Sequence, residues 1–593
     1  MAVSWAHVLT WETGPLDSIA SDLLEASKGL REAYESGDTA VWSVRSQGEA
    51  VTTMQATTIC NLASLDRALT NINGALMAIE AARDGVGSIM AYVNEAKAFA
   101  SLHGCTINPD GSVSSVKQGM LAVTRLEDNV RAILSKANQV DTSLAEALAS
   151  INTDRYTDGD RGSDKVVGIP DVPQPNWSPS QNAAWWNSLP EERKKFLIDH
   201  CPDDIRHLDG LPAAARDQAN RRALDGYVDA NGKEHQGALK DAKRAVEEAQ
   251  LAYDIADKKQ ANNKTDGYVA AKKGDAQIKL ERAKEAYEDL KAIREQTAND
   301  VRASKGLAPA YLLDFNYDND YHRTTAIVSS GNPDTATHVS TLVPGIGTNV
   351  RGDLAKYVAA NDRLRAQTAH AGADPNNVAT ISYLGYVAPK NDGLNNIQAA
   401  DIGYANRAAP VLARFEEGLR ANAEANHHKF TNTLVTHSYG STTGGKAAAL
   451  MAPGTVDRLI LTGSPGGGVQ SIDEYNVPRE HVYESSIPEG DAVQGIGPDA
   501  YYGKNPRHLE GITHLSGDAT DAKDYWHPLP DIDDPQAEVT NRLSHAIDNH
   551  MLYFEDGTRT SQDFANIIAG GNPTTDEEWA AIKAARAKEN NGH

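Results

Sequence analysis

Ser438 stands in the string T-N-T-L-V-T-H-S-Y-G-S-T-T-G-G-K-A-A-A-L, where a short β-branched run, Thr431 to Thr436, leads into the serine and then into small residues suited to a helix start. A serine held on a sharp strand-to-helix corner projects its hydroxyl clear of the sheet. There it lies beside helix N-terminal N–H groups that can steady an oxyanion. Of the two glycines in the pattern G-x-S-x-G only Gly440 is present, because Thr436 occupies the first position. Strand end and helix start nearly touch at such a corner, so a β-branched Thr436 is a tight replacement. His437, next to the serine, is expected to point away from it and to serve the structure.

Three further groups suit the same chemistry. Pro344-Gly345-Ile346-Gly347-Thr348 follows an apolar run ending in Val343, and its glycines let backbone N–H groups turn toward a ligand. An oxyanion hole is therefore expected from the Ile346 N–H, the Gly345 turn and the N–H of Tyr439. Asp491 lies in the loop S-S-I-P-E-G-D-A-V after another apolar run, and His550 closes S-H-A-I-D-N-H in the tail. Loop acids usually cap helices or face water, and the chain has 18 histidines, so neither residue is persuasive alone. Their order carries more weight: Ser438, Asp491, His550 is a nucleophile, acid, histidine sequence with the acid two strands after the nucleophile. Glu489 in place of Asp491, and His545 in place of His550, remain open alternatives.

These residues need a scaffold, and the pattern from about residue 309 supplies one. Short apolar runs at Thr324 to Ser329, His338 to Val343, Ala379 to Leu384, Thr431 to Thr436, Arg458 to Leu461 and His481 to Ser485 read as strands. Helical stretches fit between them at Asn349 to Gln367, Asp401 to Ala425 and Thr442 to Met451, with another at Gln562 to Ile568. Strands alternating with helices predict an α/β domain with a mostly parallel sheet flanked by helices, whose working residues sit at the carboxyl ends of strands.

The front of the chain reads differently. Residues 1–151 carry helical periodicity, predicting helices over Leu16 to Tyr34, Ser43 to Ala82, Ser88 to Ala100 and Ser114 to Ile151. A turn is expected at Glu35-Ser36-Gly37-Asp38, with Trp42 packing the corner beyond it, and a small hairpin around Asn108-Pro109-Asp110-Gly111. Residues 152–180 are rich in Gly, Pro and Asp and read as a linker. A helical connector, 181–308, follows, with Ser178 or Ser180 capping the helix that holds Trp185 and Trp186. It contains an antiparallel coiled-coil hairpin broken near Asn262-Asn263, whose seam is expected at Leu239, Ala242, Ala245, Leu251 and Leu280, Ala283, Ala286, Leu290. The α/β domain then occupies 309–593.

Composition bounds the function. With 593 residues and 40% hydrophobic content, the chain can bury more than one core. A net charge of −24 repels phosphate backbones, and no basic face offsets it, so nucleic acid is not an expected partner. No apolar run reaches the roughly 18 residues of a membrane span, and the start lacks a charged, then apolar, Sec-type leader. That leaves the cytoplasm, or export by a Sec-independent route. Cys60, Cys105 and Cys201 are odd in number and lack partners at metal-ligand spacing, so they read as small buried or free thiols. The expected chemistry needs neither metal nor organic cofactor.

The strings G-N-P-D-T-A-T-H-V-S-T-L-V-P-G-I-G-T, I-S-Y-L-G-Y-V-A-P-K, V-T-H-S-Y-G-S and L-I-L-T-G-S-P-G-G-G-V occur in this order. They resemble an actinobacterial α/β-hydrolase family whose usual forms are V-P-G-T-G-T, W-L-G-Y-D-A-P, G-H-S-Y-G-S and G-S-P-G. The connector piece L-D-G-L-P-A-A-A-R-D-Q-A-N-R also resembles segments that precede the hydrolase domain in such proteins. The chain departs from the pattern at Thr436 for Gly, Tyr383 for Trp and Val387 for Asp. The resemblance implies an α/β-hydrolase fold with Ser438 as nucleophile, His550 as general base and Asp491 as its orienting acid. The N-terminal helices loosely resemble the WXG-type hairpins of type VII secretion substrates, although Trp42-Ser43-Val44 lacks the glycine. Two functions follow as expectations. One is a serine esterase or lipase acting on a small-molecule or lipid ester. The other is a type VII-associated interaction or effector protein that docks a helical partner, its hydrolase core impaired by Thr436.

Overall fold

A computed structural model describes residues 3–43, 49–115, 120–151, 177–189, 191–263, 266–390, 402–495, 498–519, 521–524 and 535–590. They form two compact units, Met1–Lys194 with Asp209–Leu211, and Lys195–Leu208 with Pro212–His593.

The first unit is built from long helices. Gly14–Ser43 packs along Glu49–Leu102, which packs along Met120–Ile151. Two expected breaks are absent. The helix runs through Glu35-Ser36-Gly37-Asp38 and carries Trp42 in its last turn; the Trp42 side chain lies outside the described residues. The gap expected between Ala82 and Ser88 is likewise helical. A glycine inside a helix costs about 1 kcal/mol relative to alanine, which packing along a neighbouring helix overrides. Gly85 shows why it is tolerated: a Cβ there would stand 2.6 Å from Val140 Cγ2, so the glycine lets the next helix approach. The expected hairpin is present, pairing Cys105–Ile107 with Val113–Ser115. Trp5, Ile89, Val93, Leu126, Val130 and Ile133 make the core beneath it. The linker expected at 152–180 lies outside the described residues as far as 176. Ser178 caps Pro179–Ser188 through a reciprocal capping box with Gln181.

The second unit holds an eight-stranded sheet. In chain order its strands are β1 (Ala310–Asp318), β2 (Arg323–Ser330), β3 (His338–Val343), β4 (Val378–Leu384), β5 (Thr431–His437), β6 (Arg458–Thr462), β7 (Val482–Ser485) and β8 (Thr513–His514). Their order across the sheet is β1-β2-β4-β3-β5-β6-β7-β8. β2 is antiparallel to both β1 and β4, and the pairs from β4 through β8 are parallel. The central strands are buried on both faces, as a parallel sheet covered by helices requires. The helices Val350–His370, Ile402–Ala425, Tyr439–Leu450 and Arg559–Ile568 belong to this unit. Val339, Ile381, Leu412, Leu434 and Leu459 lie in the core of one face, and Val435, Ile460, Phe564 and Ile568 in that of the other.

The sheet carries two strands beyond the six that the sequence pattern marks, β1 and β8. The edge strand β1 is fastened by the helix Ala213–Asp225. Asn220 Nδ2 donates to the carbonyls of Leu312 and Leu313, and Asp217 Oδ1 accepts from the Leu312 N–H. These bonds fall where the β1 to β2 register shifts, between Leu312 and Asp314. The polar residues of R-D-Q-A-N-R therefore cover a sheet edge that would otherwise present unpaired backbone groups. The hairpin helices Ala238–Asn262 and Gly267–Gln296 pack on each other, and Leu290 and Ile293 join the core under β1 and β2. The seam on the first of them differs from expectation. Ala245 is exposed and Leu251 is 63% exposed, whereas Val246, Ala249 and Tyr253 are half-buried.

Candidate active site

β5 ends at His437 and the helix Tyr439–Leu450 begins one residue later, which leaves Ser438 to make the corner. Its backbone has φ +58 and ψ −134, a left-handed conformation that few non-glycine residues adopt and that marks stored strain at working sites. The serine is 1% exposed, and its Oγ has no hydrogen-bond partner among the described residues. The end of β3 closes against it. A Cβ on Gly440 would lie 2.5 Å from the Val343 carbonyl oxygen, and one on Gly345 would lie 2.5 Å from Ser438 Cβ and 2.8 Å from its Oγ. Both glycines are required by contact.

Thr436 fits the corner through a compensation. Its Oγ1 donates to the Ile460 carbonyl at 2.8 Å and lies 3.2 Å from Ser441 Oγ. Its methyl faces Gly444, where a Cβ would stand only 2.4 Å from Thr436 Cγ2. The bulk absent from the helix is present on the strand.

His550 follows directly on the helix Pro535–Asn549, and Asn549 fixes where it lands. The buried Asn549 Nδ2 donates to the Gly490 and Lys523 carbonyls at 2.8 and 2.7 Å, tying the helix end to the loop that carries Asp491. Both Asp491 oxygens then lie 2.9 Å from His550 Nδ1. An ionised carboxylate only accepts, so Nδ1 carries the proton and Nε2 is the basic nitrogen. Val493 N–H donates to Asp491 Oδ1 at 2.7 Å, and Tyr553 O–H donates to Oδ2 at 2.7 Å. Burial works against the charged carboxyl, but the charge and hydrogen bond of His550, with those of Val493 and Tyr553, outweigh it and hold Asp491 at about 2. Ser438 and this pair flank one turn. The Ser438 N–H donates to the Thr462 carbonyl, and a Cβ on the next residue, Gly463, would lie 2.8 Å from Asp491 Oδ2 and 3.0 Å from His550 Nδ1.

His437 forms a shelf under the imidazole. Its ring stacks on that of His550 with centroids 4.6 Å apart, and its Nε2 donates to the His550 carbonyl at 2.9 Å. Burial and the nearby His550 charge push its ring down to about 3, so it stays neutral. The two alternatives do not reach the pair. His545 Nδ1 lies 3.2 Å from the Asp524 carbonyl, and Glu489, raised by burial, has its Oε2 buried without a partner among the described residues.

Two tyrosines that sequence patterns did not single out lie against the loop Pro344 to Thr348. Tyr386 Oη donates to the Pro344 carbonyl at 2.5 Å. Tyr357 lies near Thr348 and Gly345, and its phenol is pushed up to about 12 chiefly by burial. Tyr439 opens its helix, the end at which N–H groups point outward, and its Oη accepts from the Ala405 N–H at 3.0 Å. Ile346 packs beside Tyr439 and Tyr502, giving the site an apolar wall. Tyr553, which joins Asp491 across 62 residues, leaves no local signal at all. Among the described residues, no group of three or more His, Cys, Asp or Glu side chains is arranged to hold a metal ion, and no helix is long and apolar enough to cross a membrane.

Residues 320–499 match a family model described as alpha/beta hydrolase. That stretch includes Ser438 and Asp491 and ends before His550. The chain is also similar to two proteins of Mycobacterium tuberculosis, from two strains and both described as uncharacterized, at 28% identity over 454 residues. Those alignments cover 72% of this chain and 62% of each relative. With the eight-stranded sheet and the family match lying on it, the C-terminal part of this chain carries an alpha/beta-hydrolase domain.

Proposed function

We propose that this chain is a serine hydrolase that cleaves a carboxylic ester through Ser438, His550 and Asp491. The observation that carries the reading is the carboxylate of Asp491 set squarely on His550 Nδ1, beside a serine strained at a strand-to-helix corner with an unpartnered Oγ.

In this reading His550 Nε2 takes the Ser438 hydroxyl proton as Oγ bonds to the ester carbonyl carbon. The Ile346 N–H, on the loop that closes against the serine at Gly345, and the Tyr439 N–H, at the start of the helix after the serine, stabilise the oxyanion. When the tetrahedral intermediate collapses, the alcohol leaves with the proton from His550 and an acyl-serine remains. Water, deprotonated by His550, then attacks the acyl carbon; the carboxylic acid departs and the proton returns to Ser438. Asp491 holds the imidazole in the required tautomer and balances its charge. The wall of Ile346, Tyr439 and Tyr502 suits an apolar ester.

The fit of Thr436 over Gly444 favours this reading over an interaction protein with an impaired core. The test is hydrolysis of a p-nitrophenyl ester panel from acetyl to palmitoyl by wild type and Ser438→Ala. Turnover that disappears in the variant supports the proposal. Equal background rates from two folded proteins contradict it.

A further inference from the structure

Asp491 is held by different means on its two oxygens. Oδ1 accepts from the backbone N–H groups of Val493 at 2.7 Å and Gln494 at 3.3 Å. Oδ2 accepts from Tyr553 O–H at 2.7 Å, its partner besides His550 among the described residues. The phenol cannot swing away, because its own oxygen accepts from the Ile487 N–H at 3.1 Å, at the start of the loop that carries Asp491. Tyr553 is fully buried and sits in the single turn Leu552–Phe554, three residues beyond His550, with its ring edge-on to the imidazole at 6.4 Å. One short piece of chain thus supplies both the base and the donor that acts on the base's acid.

We propose, building on the triad reading above, that Tyr553 is a positioning residue of the reaction: its O–H fixes the plane of the Asp491 carboxylate against His550 and moderates its basicity. A donor on each oxygen prevents the carboxylate from rotating about its Cβ–Cγ bond. Each donor also draws negative charge away from the imidazolium. Burial and the charge of Asp491 keep the phenol protonated, so it remains a donor throughout the working pH range. Among the described residues, the other ionisable groups facing this cluster are His437 from β5, which stays neutral, and Glu484 from β7, whose charge acts on Tyr553.

Tyr553→Phe keeps the ring and removes the donor. Asp491 then stabilises the His550 imidazolium more strongly, so the imidazole loses its proton at higher pH. The readout is the rate of fluorophosphonate labelling against pH. We expect the acid limb of the variant to move up by roughly half a pH unit and the plateau to fall roughly five- to twentyfold. Placing a fluorinated tyrosine at 553 strengthens the donor without changing the packing, and should move the limb in the opposite direction, to lower pH. This second protein decides the matter if Tyr553→Phe does not fold. A plateau loss with an unmoved limb in both proteins overturns the proposal, because it leaves Tyr553 as packing only. A wild type that does not label while folded overturns the triad reading itself, an outcome distinct from failure of the tyrosine.

Discussion

Thr436 and Gly444 divide one space between strand and helix: the threonine methyl occupies the position in which a side chain at 444 would stand, 2.4 Å away. Gly444→Ala should therefore cost about 1–3 kcal/mol by overpacking. Thr436→Gly alone should also destabilise, because it removes the bond to the Ile460 carbonyl and leaves a void. Together the two changes should cost less than their sum, by roughly 1 kcal/mol or more. Urea denaturation of the four proteins measures the coupling, and strict additivity would show that the two residues do not share the space.

Gly345 makes a sharper test of the loop against the nucleophile. Gly345→Ala places a methyl 2.8 Å from Ser438 Oγ, so the serine or the loop must shift. With Ser438 as the proposed nucleophile, displacement of its Oγ should lower the proposed ester hydrolysis about a hundredfold. The unfolding midpoint should change far less than the rate, and parallel losses of both would mean that the loop serves stability alone.

Acid should weaken the domain in two stages. His437 has its pKa lowered to about 3 in the folded chain. Below the ordinary histidine range the unfolded chain therefore takes up a proton that the native state refuses, and stability falls from about pH 6.5 down toward 3. The depressed Asp491 carboxyl adds stability that is complete above its unfolded value of 3.8 and is lost as pH drops toward about 2. Between pH 7 and 4 the slope of stability against pH in wild type should exceed that in His437→Phe by an amount approaching one proton, about 1.4 kcal/mol per pH unit. Denaturation curves of the two proteins measure it, and equal slopes would place the titrating group elsewhere.

How far the sequence foretold this arrangement depended on the range of each interaction. The six inner strands were legible because each is a short apolar run between helical stretches. β1 was not, since A-Y-L-L-D-F-N-Y-D mixes buried and exposed positions and is secured by Asn220 and Asp217 from a distant helix. β8 has two residues, paired only with Tyr483 and Glu484, and no propensity scale detects so short a strand. In the hairpin, Ala alternating with Lys and Glu offers several similar helical stripes, and packing selected Val246 and Tyr253 over Leu251. Ser438, Asp491 and His550 stood out by residue type and chain order. Tyr553 and Gly444 did not, because their roles are contacts that arise only when the chain is folded.

The most direct measurement is fluorophosphonate labelling followed by peptide mapping, on wild type, Ser438→Ala and His550→Ala, with each protein shown to be folded. We predict one adduct, on Ser438, in wild type, with none in the first variant and labelling slowed by at least about a hundredfold in the second. A folded wild type that stays unlabelled, or that carries the adduct on another residue, would contradict the account.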